Sequence, residues 1–181
     1  MKNKFNEYLR EVNRPGVINL IEFLEKSVYF KAPASTQYHG SNEGGLLEHS
    51  LNVADSMIKL NETEQFETAE IESIIICGLF HDLGKSTYFN KPDYIPNILK
   101  SGKISDAKPY EHNKERLSIP HQVASIHILS KYIQLTEEET FAILYHNGLY
   151  TPDGRAMVGN ETKLMLLLHF ADMWASRFME D

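Results

Sequence analysis

The stretch from Ile71 to Lys85 constrains the fold of this chain more than any other. Ile71, Ile74, Ile75 and Gly78 predict a helix that is apolar on most sides, as a helix in the middle of a bundle is. It is expected to end at Gly84, and two ionisable residues stand at its end, in Gly78-Leu-Phe-His81-Asp82-Leu-Gly-Lys85. A carboxylate in apolar surroundings is avoided unless it is paired or bound to a metal. A chain with this element must wrap other helices around it and bring a partner to Asp82.

The remaining apolar spacing supplies those helices. Residues 1 to 13 read as mixed and charged, and Pro15 is placed at the first position of a helix through Val17, Leu20, Ile21 and Leu24, ending near Lys26. Residues 31–45, rich in glycine and small polar residues, read as a loop that contains His39. Leu47, Leu51, Ala54 and Ile58 predict a helix over Leu46 to Leu60 with His49 beside its apolar stripe, followed by an acidic connection from Asn61 to Glu67. Pro120 opens a helix through Val123, Ile126, Leu129 and Ile133. Thr136 and Glu139 then form a capping box ahead of Phe141, Ile143 and Leu144, with Glu137 to Glu139 as a solvated start. His121 and His146 lie near the ends of these two helices. Thr151-Pro-Asp-Gly154 reads as a turn, with room for a short hairpin within 147–160. A last helix, from about Glu161 to Met179, sets Asp172 among Leu164, Leu167, Leu168, Ala171 and Trp174. Trp174, Met173 and Cys77 read as core residues. No stretch alternates as a strand does and no segment repeats. The expected class is all-α, a compact helical bundle with a long irregular insertion after His81-Asp82.

Length and charge limit what such a fold can serve. The 181 residues suit one domain, residues 1–181, with 1–30 as an N-terminal helical extension. A net charge of −7 argues against a general nucleic-acid coat and leaves room for a small anionic ligand. Residues 85–116 nevertheless hold seven Lys or Arg against four acids, together with Tyr88, Phe89, Tyr94 and Tyr110. They are either a substrate lid, with lysines for phosphates and tyrosines for a base, or a solvated loop. The longest apolar run, four or five residues, is too short for a membrane span. The start Met1-Lys-Asn-Lys-Phe5 lacks the apolar centre of a signal peptide, and a lone Cys77 permits no intramolecular disulfide. A cytoplasmic location is expected.

His49, His121 and His146 sit at or near helices with an apolar face, and Asp172 repeats the anomaly of Asp82, so these residues and His81 can converge on one cavity of a bundle. Imidazole with carboxylate suits Mn, Fe, Co, Ni or Zn better than Ca. The plainer reading of His81-Asp82 is a helix C-cap pair, and that of His121 and His146 is polar residues at helix ends. His39 either contacts substrate or lies at the surface, and Lys85 is either a phosphate contact or a helix-end cation. His169 is read as packing against or orienting a ligand, and His112 and His127 as solvated.

The order Gly44-Gly-Leu-Leu-Glu-His49, His81-Asp82-Leu-Gly-Lys85, Ile119-Pro-His121, Leu144-Tyr-His146-Asn-Gly148 and Leu168-His-Phe-Ala-Asp172 resembles the HD-domain superfamily of metal-dependent phosphohydrolases. The likeness covers roughly residues 40 to 180. It is most similar to the branch of 3′-to-5′ exoribonuclease HD domains and to small HD diadenosine-polyphosphate hydrolases. The resemblance implies an HD-domain helical bundle with a two-metal site. His49, His81, Asp82 and Asp172 would ligate one divalent transition-metal ion and His121 and His146 the second, with Asp82 bridging. It further implies hydrolysis of a phosphoester or phosphoanhydride bond by a metal-bridging hydroxide, with Asp82 and Lys85 catalytic and Lys85, His39 and Asn147 on the substrate. Family members acting as 5′-nucleotidases often carry glutamate where Lys85 stands, which makes that activity a poorer fit. The expected partner is a small anionic nucleotide-type substrate or a short nucleic-acid end, with no membrane. Two other classes stay open: an HD-type di-iron oxygenase, which uses a similar ligand set, and a nucleotide-sensing module without turnover.

Overall fold

The helix expected around Ile74 forms over Ile71–Phe80 (α4), and every residue from Ile74 to Phe80 is buried. The computed structural model of the chain describes residues 1–63 and 69–180. Before α4 come α1 (Lys2–Arg10), α2 (Val17–Lys26) and α3 (Gly45–Asn61). After it come α5 (His121–Leu129), α6 (Glu137–Tyr145), the short α7 (Pro152–Ala156) and α8 (Lys163–Trp174), which runs on as a π-helical turn over Ala175–Met179. α3 packs along both α4 and α8, and α6 along α8, while α4 also meets α1, α6 and α8, so α4 lies among its neighbours. The class is helical, as expected. No helix among the described residues is long and apolar enough to cross a membrane.

Several details depart from the sequence reading, each for a physical reason. Residues 2–10 are helical because Phe5 and Leu9 fall on one face and are buried in the same core as Leu20, Leu24 and Phe80. α2 starts two residues later than Pro15 suggests, since Gly16, left-handed at φ 90°, stands between Pro15 and Val17 as the N-cap. α4 stops at Phe80, and Leu83–Lys85 form a separate 3₁₀ turn. The insertion carries two small antiparallel ribbons, β1 (Thr87–Tyr88) with β2 (Lys91–Pro92) and β3 (Tyr94–Pro96) with β4 (Tyr110–His112). Strands of two or three residues are too short to show alternation in a sequence. Thr151 caps α7 by accepting from the Gly154 amide, with Pro152 in the first turn, so helix replaces the hairpin entertained for 147–160. Trp174 and Met173 are not core residues: Trp174 is exposed and stacks on Phe178, while Leu164, Leu168, Ala171 and Ala175 form the buried face. The acidic connection lies, from residue 64 on, outside the described residues.

The capping box forms between Thr136 and Glu139, but Glu139 is no solvated residue. Its buried carboxylate accepts two hydrogen bonds from Arg14 at 2.6 Å and one from Ser73 at 2.7 Å. Arg14 also reaches Glu72 and the Gln134 carbonyl, so one guanidinium ties the N-terminal segment to α4 and to the start of α6.

Gly84 sets the approach of the 3₁₀ turn to α5. A Cβ on it would lie 2.0 Å from the backbone oxygen of His121, a group that cannot move without moving the helix start. Its amide donates to Ser125 at 2.7 Å. Gly84→Ala is expected to lose about 1–3 kcal/mol of stability from overpacking; an unchanged urea midpoint would refute this account of the contact.

Candidate metal centre

Five helices deliver one residue or pair each to the same place. α3 supplies His49, the end of α4 supplies His81 and Asp82, the start of α5 supplies His121, the end of α6 supplies His146, and α8 supplies Asp172. His49, His81, Asp82 and His146 are buried, His121 is partly exposed, and Asp172 keeps an open edge toward a pocket of about 290 Å³.

Asp82 is the centre of the cluster. Its Oδ2 lies 3.7 Å from Nε2 of His49, 3.5 Å from Nε2 of His81 and 2.6 Å from Nζ of Lys85. Its Oδ1 lies 3.2 Å from Nε2 of His121 and 3.7 Å from Nε2 of His146. Asp172 Oδ1 is 3.2 Å from Nε2 of His49. Ligand atoms of His49, His81 and Asp82 all lie within 4.8 Å of one another, as do those of Asp82, His121 and His146. Asp82 thus belongs to two donor groups, one on each side of its carboxylate.

The orientations of the rings decide what these groups suit. Nδ1 of His81 faces the Gly78 carbonyl at 3.0 Å and Nδ1 of His146 faces the Ile143 carbonyl at 2.8 Å. A carbonyl only accepts, so each Nδ1 carries the proton and each Nε2 presents a lone pair inward. Nε2 of His81 nevertheless stands 3.3 Å from Nε2 of His49, and Nε2 of His121 stands 3.3 Å from Nε2 of His146. Asp82 Oδ1, fully buried, has no hydrogen-bond partner. Converging lone pairs around an unsatisfied carboxylate oxygen repel one another unless a cation lies between them. The donor set therefore fits divalent transition metals, with nitrogen and carboxylate ligands and no thiolate.

At His121, His146 and Asp82 the electrostatics agree. Burial pushes His121 down to about 3, against the pull of Asp82, and burial with the nearby His81 pushes His146 down to about 4, so both rings are neutral near neutral pH, as a metal donor must be. Burial opposes ionisation of Asp82, but Lys85, His81 and His121 hold its carboxyl well below the usual carboxylate range. His49 differs: burial lowers it, yet Asp172 and Glu180 together raise it to about 10.

Glu180 was not read from the sequence, where it looks like a solvated terminal charge. The π-helical turn after α8 brings its carboxylate to 3.1 Å from Nδ1 of His49, and Asn52 donates to the same group at 3.1 Å. His169, read as packing against or orienting a ligand, has its Nδ1 donating to the His146 carbonyl at 2.7 Å. The three residues read as substrate contacts, Lys85, His39 and Asn147, all line the pocket. Asn147 also lies 3.2 Å from Nε2 of His146, and the His39 ring lies 5.1 Å from that of His49. Lys85 pairs with Asp82 as well as facing the pocket. Of the insertion 85–116, Lys85 alone lines this pocket; His112 and His127 are exposed, as expected.

Comparison with protein families matches residues 46–167 to the model described as HD domain. The chain belongs to the HD domain family. His49, His81, Asp82, His121 and His146 fall within the matched stretch of the HD domain, and Asp172 lies just beyond it. The chain is also similar to the dihydroneopterin 2′,3′-cyclic phosphate phosphodiesterase of Methanocaldococcus jannaschii, 30% identical over 99 residues. That alignment covers 51% of this chain and 38% of the relative, so this HD chain spans well under half of the relative's length. No solved structure matches it.

Proposed function

We propose that the chain is a metal-dependent phosphohydrolase that cleaves a phosphoester or phosphoanhydride bond of a nucleotide-type substrate. The observation that carries this reading is the buried, unpartnered Oδ1 of Asp82 amid inward-facing imidazole nitrogens. His49, His81, Asp82 and Asp172 would hold one divalent ion and Asp82, His121 and His146 a second. Bound there, such ions supply Lewis acidity, which makes a nucleophile available from water near neutral pH and neutralises phosphoryl charge. The similarity to a cyclic-phosphate phosphodiesterase supports a phosphate ester as substrate.

The protein's own groups would do the rest. Lys85, at the pocket wall, meets a phosphoryl oxygen as a point charge. His39 and Asn147 contact the bound substrate beside it. Glu180 fixes the His49 ring by accepting from Nδ1, and His169 holds the backbone that carries His146. A cytoplasmic location goes with this reading.

Glu180→Ala is expected to weaken metal affinity by about 10–100-fold, the usual range for a group that orients a ligand imidazole. Titration of the apo protein with Mn²⁺ checks this, and an affinity equal to that of the parent would remove Glu180 from the account. The function itself is tested with a panel of cyclic and linear nucleotides, diadenosine polyphosphates, dNTPs and short RNA on protein loaded with Mn²⁺, Fe²⁺, Co²⁺, Ni²⁺ or Zn²⁺. Release of phosphate or of a phosphomonoester from at least one class is expected. Oxygen uptake that depends on ferrous iron, with no ester cleaved, would instead favour the oxygenase reading. Tight nucleotide binding with no product on any metal would favour a sensor.

A further inference from the structure

The pocket above Asp82 does not close at its outer end. At His39, Ser176 and Arg177 it meets a second cavity of about 880 Å³, whose other walls include Gln37, Tyr38 and Glu180. Small-molecule sites usually measure about 300–1,000 Å³. The inner pocket, about 290 Å³, sits at the bottom of that range and suits a phosphate with one attached group. The outer cavity is large enough for a separate group.

The chemistry of the two cavities differs. The inner one holds the carboxylate and imidazole cluster with Lys85 at its wall. Among the described residues the outer one has a single cation, Arg177, at the junction, and a single carboxylate, Glu180, which His49 and Asn52 already engage. One cation and one carboxylate do not suit a polyphosphate chain; they suit an almost neutral group joined to a phosphate at the junction. Tyr38, 69% exposed, offers an aromatic face, and Gln37 offers an amide to the edge of a heterocycle.

We infer that the outer cavity is a second nucleoside subsite and that the substrate is a phosphodiester with a nucleoside on each side of the scissile phosphate. Tyr38 stacks on the outer base, and Arg177 balances the charge of the linking phosphate. Hydrolysis adds one water: the P–O bond to one nucleoside breaks, that nucleoside leaves with a hydroxyl group, and the phosphate stays on the other as a monoester. The inference rests on the phosphohydrolase reading above. A free dinucleotide and the end of a longer single strand present the same chemistry.

The test uses the full chain loaded with Mn²⁺ and three diesters: a dinucleoside monophosphate, a ten-nucleotide single strand, and methyl 4-nitrophenyl phosphate, which has one aromatic ester and no group to reach Tyr38. In Tyr38→Ala, the ratio of kcat/KM for the dinucleoside to that for the small diester is expected to fall about ten- to a hundredfold, the value of one base–aromatic stack. Calorimetric titration with a phosphorothioate-linked dinucleoside is expected to show a loss of affinity of the same order. Tyr38 is too exposed for its removal to endanger the fold. An unchanged ratio with unchanged affinity overturns the subsite. Cleavage of the ten-nucleotide strand assigns it to a polymer end, and cleavage of the dinucleoside alone assigns it to a free dinucleotide. If none of the diesters is cleaved, the diester assignment is overturned, whereas the phosphohydrolase reading falls only if the whole panel above also stays uncleaved; the calorimetric arm still decides the subsite, which stands only if Tyr38→Ala loses affinity.

Discussion

Asp82→Ala is expected to empty both metal positions at once and to lower hydrolysis by more than about 10³-fold. Metal-assisted charge stabilisation is worth several kcal/mol, and each ~1.4 kcal/mol is tenfold in rate. The reason lies in the geometry: Oδ2 faces His49 and His81, while Oδ1 faces His121 and His146. One truncation removes a ligand from each donor group. It also leaves Lys85 without its 2.6 Å partner, so a cation sits where cations are to bind. His121→Ala, by contrast, touches one group and should leave metal at the His49 side. Elemental analysis of the two variants separates the effects, and unchanged metal in Asp82→Ala would contradict the shared-ligand arrangement.

The second large effect concerns stability. Arg14→Ala strands the Glu139 carboxylate, whose side chain has no exposed surface, with Ser73 and the Thr136 amide as its remaining partners. Breaking a buried pair on one side costs about 3–5 kcal/mol. For a chain of this size that is a fall in Tm of about 6–20 °C, at 2–4 °C per kcal/mol. Replacing both partners, as in Arg14→Met with Glu139→Leu, should restore much of the loss, because no uncompensated charge remains. The pair also has a pH signature. Burial raises the Glu139 carboxyl, but Arg14, the Thr136 amide and Ser73 outweigh it and hold the group below its ordinary value. Its contribution is therefore present above the unfolded carboxylate pKa, about 4.3, and is lost as pH falls through the folded value. Denaturation midpoints of the parent should drop in that acid range more steeply than those of the double variant.

The sequence announces the centre of the fold because a wholly apolar helix ending in His-Asp admits few settings, and α4 with its neighbours takes the expected one. The Thr136 and Glu139 capping box is legible for a similar reason, since both partners lie within one turn. What escaped depends on distance. Glu139 reads as solvated until Arg14, far away in sequence, is seen to reach it. Glu180 looks like a terminal charge until the π-helical turn carries it to His49. Trp174 shares α8 with a long apolar run, and periodicity alone does not say which part of a broad stripe faces outward. α1 falls within the expected N-terminal helical extension, but its bounds went unread, because Phe5, Tyr8, Leu9 and Val12 recur at helical spacing among charges that masked them. The six residues proposed as ligands were all nameable from their motifs. Their division into two groups about Asp82 was implied by the resemblance, and three dimensions add which carboxylate oxygen faces which imidazoles.

That division is tested most directly by cobalt. Apo protein titrated with Co²⁺ and followed by electron paramagnetic resonance should take up close to two ions per chain, and the second ion should quench the signal of the first by spin coupling through the shared Asp82 carboxylate. Saturation at one ion per chain, or two ions with independent, additive signals, would contradict it.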